Sequence, residues 1–198
     1  MGIKYILVGG YPHKASDRGK SFCEELIAGF DESVRILDCL FARPTDNWDK
    51  AFEQDKDFFV QHVPDKRLEL QRAEPERFVE QVKWANAIYI RGGTTSVLLE
   101  LLKQSGEWQK ELEGKTVAGS SAGAHALSTY HYNLDGVECG EGLGLVPVKV
   151  FVHWRSDYHS PHINWDKAYT ELKSYREDLP LLILAEGQFV KYEKRFVP

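Results

Sequence analysis

The chain has 198 residues, 42% hydrophobic and 28% charged, with a formal net charge of −5. This is the composition of an ordinary globular protein and excludes disordered, collagen-like and coiled-coil chains. A mildly acidic chain is also a poor general binder of nucleic acid or membrane surfaces, so neither is expected as a partner.

Ile3–Val8 reads as a first strand, stopped by Gly9-Gly10. The run is too short for a signal-peptide core or a membrane span. Cys23, Cys39 and Cys139 are widely spaced, without a CxxC pair, which fits a reducing compartment. A cytoplasmic protein is expected. Phe22, Leu26, Ile27 and Phe30 recur at helical spacing. Ser33–Phe41 reads as a second strand, and a helix capped by Thr45 or Asp46 runs into Phe58-Phe59. Leu68–Gln71 is a weak third strand. Pro75 opens a helix over Glu76–Ala85. Ala87–Ile90 is a fourth strand, stopped by Gly92-Gly93. A helix capped by Thr95 or Ser96 follows and ends at Gly106.

Thr116–Ala118 is a short fifth strand running into a turn and another helix. Val148–Val152 is a sixth strand, and Asn164–Tyr175 is helical. Leu181–Leu184 and Phe189–Tyr192 read as two strands joined at Glu186-Gly187. Alternating strands and helices predict an α/β three-layer sandwich: a mostly parallel sheet covered on both faces, with a late hairpin at one edge. No repeat or linker divides the chain, so one domain over residues 1–198 is expected.

Gly119-Ser120-Ser121-Ala122-Gly123 follows an apolar strand and precedes a helix-forming run. In that context G-x-S-x-G places a serine on a sharp strand-to-helix turn, with its hydroxyl above the carboxyl end of the sheet. Ser121 is the candidate nucleophile. Ser120 lies one residue short of the apex. The Ala122 amide, at a helix N-terminus, is placed to donate to a developing oxyanion. The competing reading is a Gly-Ser turn that packs helix against sheet.

A nucleophilic serine needs a base. Of seven histidines, His153 follows the Val148–Val152 strand and so sits at the carboxyl edge where α/β sites form. His125, four residues after Ser121, is expected to point down the helix. A metal cluster of His153, His159 and His162 is disfavoured, because no cysteine or spaced carboxylate accompanies it. Arg91-Gly92-Gly93-Thr94 ends another strand, and its glycines let amides face a substrate oxygen. A phosphate cradle is the weaker alternative, since the P-loop lysine and the GxGxxG pattern are absent.

Three segments carry a family resemblance. Ile90-Arg91-Gly92-Gly93-Thr94-Thr95 looks like a Gly-Gly-Asn-Thr segment. Gly119-Ser120-Ser121-Ala122-Gly123-Ala124 looks like a G-x-S-A-G-A elbow. Gly142-Leu143-Gly144-Leu145-Val146-Pro147, leading to Val152-His153-Trp154, looks like a Gly-Leu-x-Leu-x-Pro run ending in strand, histidine and aromatic. In this order they resemble the S51 serine peptidases, the family of dipeptidase E and cyanophycinase. The resemblance implies a flavodoxin-like fold similar to the class I glutamine amidotransferases. It implies Ser121 as nucleophile, His153 as base, and Gly93 and Ala122 amides as the oxyanion hole. It implies no metal and no organic cofactor.

Thr94 stands where the family has asparagine. The resemblance puts the third triad member after the nucleophile helix, where Asp135, Glu138 and Glu141 lie; spacing favours Asp135. An aspartyl dipeptidase needs cations for substrate carboxylates, and Arg91 and Arg155 flank the site segments. The expected protein is a serine hydrolase of small peptides, a monomer or homodimer. An esterase on the same constellation and a non-catalytic relative are the alternatives.

Overall fold

The computed structural model describes residues 2–158 and 163–194. In chain order the elements are β1 (Ile3–Val8), α1 (Lys20–Ile27), β2 (Ser33–Cys39), α2 (Trp48–His62), β3 (Arg67–Arg72), α3 (Phe78–Trp84), β4 (Ala87–Ile90), α4 (Thr95–Gln104), β5 (Thr116–Ser120), α5 (Ala122–Leu127), β6 (Ser128–Asn133), β7 (Glu138–Glu141), β8 (Val146–Phe151), α6 (Trp165–Ser174), β9 (Leu181–Ile183) and β10 (Phe189–Lys194). Pro75 opens a short 3₁₀ turn ahead of α3, and Asn164 caps α6 by accepting from the Lys167 amide at 3.1 Å.

A six-stranded sheet has the order β10-β1-β5-β4-β2-β3. Four of its five pairings are parallel, and β10 runs antiparallel to β1 at one edge. The period-2 alternation of each strand sorts its side chains to two faces. Tyr5 and Leu7, Leu37 and Cys39, and Ile88 and Ile90 join the core under α3 and α4. Ile6 and Val8, Val34 and Ile36, and Ala87 and Tyr89 meet Phe22, Leu26 and Phe59 of α1 and α2 on the opposite face. Both faces are therefore apolar, which is why these strands read as nearly continuous hydrophobic runs.

A second sheet has the order β7-β6-β8-β9, parallel except for β7. Val146, Val148 and Val150 of β8 extend the core under α3 and α4. Tyr130, Tyr132 and Phe151 pack on the other side against Ala168 and Leu172 of α6.

Two expectations change. The last two strands are not a hairpin: β9 pairs with β8 in the small sheet, and β10 pairs with β1 in the large one. Apolar content shows that each is a strand, but a short connection does not choose the partner. The single expected sheet is also two sheets, and the helix after Ser121 is short. The helix gives way at Ser128 to β6, whose Thr129, Tyr130 and Tyr132 favour strand. The consequence for function is geometric. The carboxyl ends of β1, β4, β5, β8 and β9 meet at one edge, the usual location of a site in an α/β sheet.

Candidate active site

β5 ends at Ser120, and α5 begins at Ala122. Between them Ser121 has φ 52° and ψ −111°, a conformation costly for a non-glycine residue by about 1–3 kcal/mol. The strain is held on both sides. The Ser121 amide donates to the Val8 carbonyl at 3.1 Å, and its own carbonyl accepts from the His125 amide at 3.0 Å. Gly123 lets the helix seat on β4: a Cβ there would lie 2.1 Å from the Ile90 carbonyl oxygen. Ser120 is buried, whereas Ser121 is half-buried and faces a cavity.

His153 leaves the end of β8 with φ 53°. Its amide donates to the Gly9 carbonyl at 2.8 Å. Its ring lies against Gly10, where a Cβ would sit 2.2 Å from Cε1. Tyr158 stacks on the ring with centroids 4.3 Å apart and planes 12° apart, and Tyr11 meets it edge-on at 5.4 Å. The imidazole Nε2 is 3.0 Å from Ser121 Oγ, and Nδ1 is 2.9 Å from Glu186 Oε1. A carboxylate only accepts, so Nδ1 carries the proton. Nε2 is then left as the acceptor for the serine hydroxyl.

Glu186 sits in the turn between β9 and β10. Burial pushes its carboxyl upward, but hydrogen bonds from Lys14 and His153 outweigh this, and it lies below the usual glutamate range. The carboxylate in contact with His153 is therefore that of Glu186, whereas the acid was expected at Asp135, with Glu138 or Glu141 as alternatives. Asp135 and Glu138 are exposed at the β6–β7 turn and on β7. Glu141 pairs with Arg176 at 3.4 Å. The signal for Glu186 was a carboxylate just beyond the carboxyl end of a strand, the same position rule that selected Ser121 and His153.

Ser121 and His153 open into a cavity of about 440 Å³. Gly92, Gly93 and Arg91 line it, along with Tyr11, Phe58 and Tyr158. The Cβ position of Gly92 is 3.4 Å from Ser121 Oγ, whereas that of Gly93 points at Ala42. Ala122 is the first residue of α5, where amides have no partner within the helix. Arg91 lines the cavity already engaged: its guanidinium is 3.0 Å from Asp55 Oδ2 and donates to the Ala51 carbonyl at 3.1 Å. Arg155 is not part of the described cavity lining. It is exposed, 3.4 Å from Asp166, with its guanidinium over the Trp154 ring. A left-handed φ of 52° at Arg155 breaks the strand alternation that would have aimed it beside His153.

Sequence reasoning also missed Arg43 and Asp55 in the lining. Asp55 adjoins Asp38, which is wholly buried in β2. Burial first, and then the neighbouring Asp55 charge, raise the Asp38 carboxyl well above its usual range. Asp38 is thus held toward its neutral form beside Asp55. Burial raises Asp55 to about 6, against the lowering effect of Arg91.

His125 does not face the serine hydroxyl. It is buried, with Nδ1 3.0 Å from Thr95 Oγ1, and it stacks on His131 at 4.3 Å. His159 and His162 lie outside the described residues. Among the described residues, no group of three or more His, Cys, Asp or Glu side chains is arranged to hold a metal ion.

Among solved structures, a peptidase from an acI-B1 actinobacterium superposes with a TM-score of 0.65 at 25% identity, covering 96% of this chain and 84% of its own. A peptidase E-type protein from Listeria monocytogenes EGD-e superposes with a TM-score of 0.66 over the full length of both chains at 15% identity, a likeness of fold. No curated protein sequence matches. The class is an α/β serine-type peptidase. The model of peptidase family S51 matches residues 41–197, and the chain belongs to that family.

Proposed function

We propose that the protein hydrolyses small peptides with Ser121 as nucleophile, His153 as general base and Glu186 as the acid that orients the base. The observation that carries this reading is the continuous contact Ser121 Oγ–His153–Glu186, at 3.0 and 2.9 Å. Ser121 Oγ attacks the scissile carbonyl while Nε2 takes its proton. The Glu186 carboxylate stabilises the resulting imidazolium through Nδ1–H. The imidazolium then protonates the departing amine, and water hydrolyses the acyl-serine by the same route reversed. The Ala122 amide, with an amide of the Gly92-Gly93 pair, holds the oxyanion. Arg91 serves the substrate indirectly, as one half of a charged pair with Asp55. Three unpaired cysteines support a cytoplasmic location.

A fluorophosphonate probe tests the assignment. Wild type is expected to label at Ser121, and Ser121→Ala to abolish labelling. Labelling at another serine, or unchanged labelling of the variant, would overturn it.

A further inference from the structure

We propose that Lys14 is a positioning residue of the same site: its ammonium grips the second oxygen of Glu186 and so presents the first to His153. This rests on the triad reading above.

Glu186 Oε1 meets His153 Nδ1, and Oε2 accepts from Lys14 Nζ. The two contacts use both oxygens and fix the plane of the carboxylate. A glutamate with only one partner would keep several rotamers, in most of which Nδ1–H is unpaired. Lys14 is itself constrained. It ends a 3₁₀ turn over Pro12–Lys14, and its amide donates to the Tyr11 carbonyl at 2.8 Å. Its ammonium lies 4.7 Å from the Tyr11 ring centroid and 4.0 Å from Asp157 Oδ1. The Lys14 side chain is 44% exposed, yet it reaches a Glu186 side chain that is only 9% exposed. One ammonium thus ties together the turn after β1, the loop after His153 and the β9–β10 turn.

Among the described residues, Lys14 and His153 face Glu186. Tyr11, Tyr158 and Glu186 face His153, and His125 acts on it electrostatically. Asp157 and Tyr11 face Lys14, and Asp135 and Arg43 act on Tyr158. Lys14 is the cation that offsets the Glu186 charge. Without it the imidazolium is favoured, and the base stays protonated to higher pH.

The test is the pH dependence of the rate constant for fluorophosphonate labelling at Ser121. Lys14→Met is expected to lower the plateau on the order of tenfold, the scale of losing an outer partner of a functional ligand. It is also expected to move the acid limb to higher pH. Lys14→Arg is expected to restore both. In a Glu186→Gln background, Lys14→Met is expected to add nothing, because its effect runs through Glu186. A superimposable profile for Lys14→Met overturns the proposal. So does a loss that Arg does not rescue and that leaves the acid limb in place, or an equal loss in the Glu186→Gln background. The NMR titration of the His153 imidazole in wild type and Lys14→Met separates this inference from the functional reading. A shift to higher pH supports the Lys14 coupling even if wild type never labels, an outcome that would sink only the triad. An unmoved titration sinks the Lys14 coupling alone.

Discussion

Glu186 lies 2.9 Å from His153 Nδ1 although 33 residues separate them in the chain. The contact exists because β9 pairs with β8 in parallel register, Lys149 to Leu181 and Phe151 to Ile183. The two strands therefore end side by side, and the residues just beyond them meet. The turn is anchored in place: the Gly187 amide donates to the Gly10 carbonyl at 2.8 Å, and the Gly9 amide donates to the Gln188 carbonyl at 2.9 Å.

Replacing Glu186 is expected to damage the reaction more than replacing Asp135. In Glu186→Gln the amide NH₂ can donate to Nδ1, which drives the proton to Nε2 and points it at the serine. A fall in kcat of about 10³- to 10⁴-fold is expected, with Asp135→Asn within about twofold of wild type. Steady-state rates on a panel of short peptides check this. A reversed ranking would return the acid role to Asp135.

Gly10 is expected to be intolerant of alanine. Its φ is 113°, and a Cβ would lie 2.2 Å from His153 Cε1. The imidazole must move, and a shift near 1 Å costs about 100-fold in rate. The φ itself adds roughly 1 kcal/mol of instability. Melting temperature and kcat/KM of Gly10→Ala, measured together, separate the two effects.

Asp55 is expected to set the pH response of the cavity. It titrates near 6, raised by burial, and it faces Arg91 at 3.0 Å. Above that pH the Arg91 charge is balanced; below it, Asp55 is neutral and the cavity gains one positive charge. Binding of an anionic peptide to the inactive Ser121→Ala protein is expected to tighten as pH falls through about 6. Adding Asp55→Asn is expected to remove that dependence while keeping the tighter binding throughout. Calorimetric titration at pH 5 and pH 7.5 reads the difference.

The stacked pair His125–His131 is expected to weaken the fold in acid. Burial lowers His131 to about 4 and holds His125 well below its usual value, so both are neutral in the folded protein. Their unfolded forms take up protons below about 6.5, so stability present above that pH is lost as pH falls toward 4. The shift of His131 alone corresponds to about 3 kcal/mol by pH 4. His131→Phe is expected to resist urea better than wild type at pH 4.5, relative to their difference at pH 7.5.

The elements that can be read from sequence are those whose signal is local. Ala87–Ile90 and Thr116–Ser120 announce themselves through buried apolar runs closed by small residues. The elbow at Ser121 is equally local, because a strained strand-to-helix turn needs small neighbours at fixed offsets. His153 was accessible because a residue just past a parallel strand must emerge at the carboxyl edge. These constraints act within a few residues, so the sequence alone determined the α/β class and singled out Ser121 and His153 as the proposed nucleophile and base.

The remaining choices depend on which distant strands become neighbours, and only the tertiary structure made them. Glu186 reaches His153 because β9 leaves for the small sheet and β10 returns to β1. A turn signal at Glu186-Gly187 is the same whether the flanking strands pair with each other or not. Arg155 was lost as a cavity residue through one left-handed backbone angle, and Arg91 gained a partner from α2, 36 positions earlier (Asp55). Strand pairing is a contest among long-range contacts of similar chemistry. Its outcome is decided by packing of the whole core, whereas a strand or a turn is decided by its own residues.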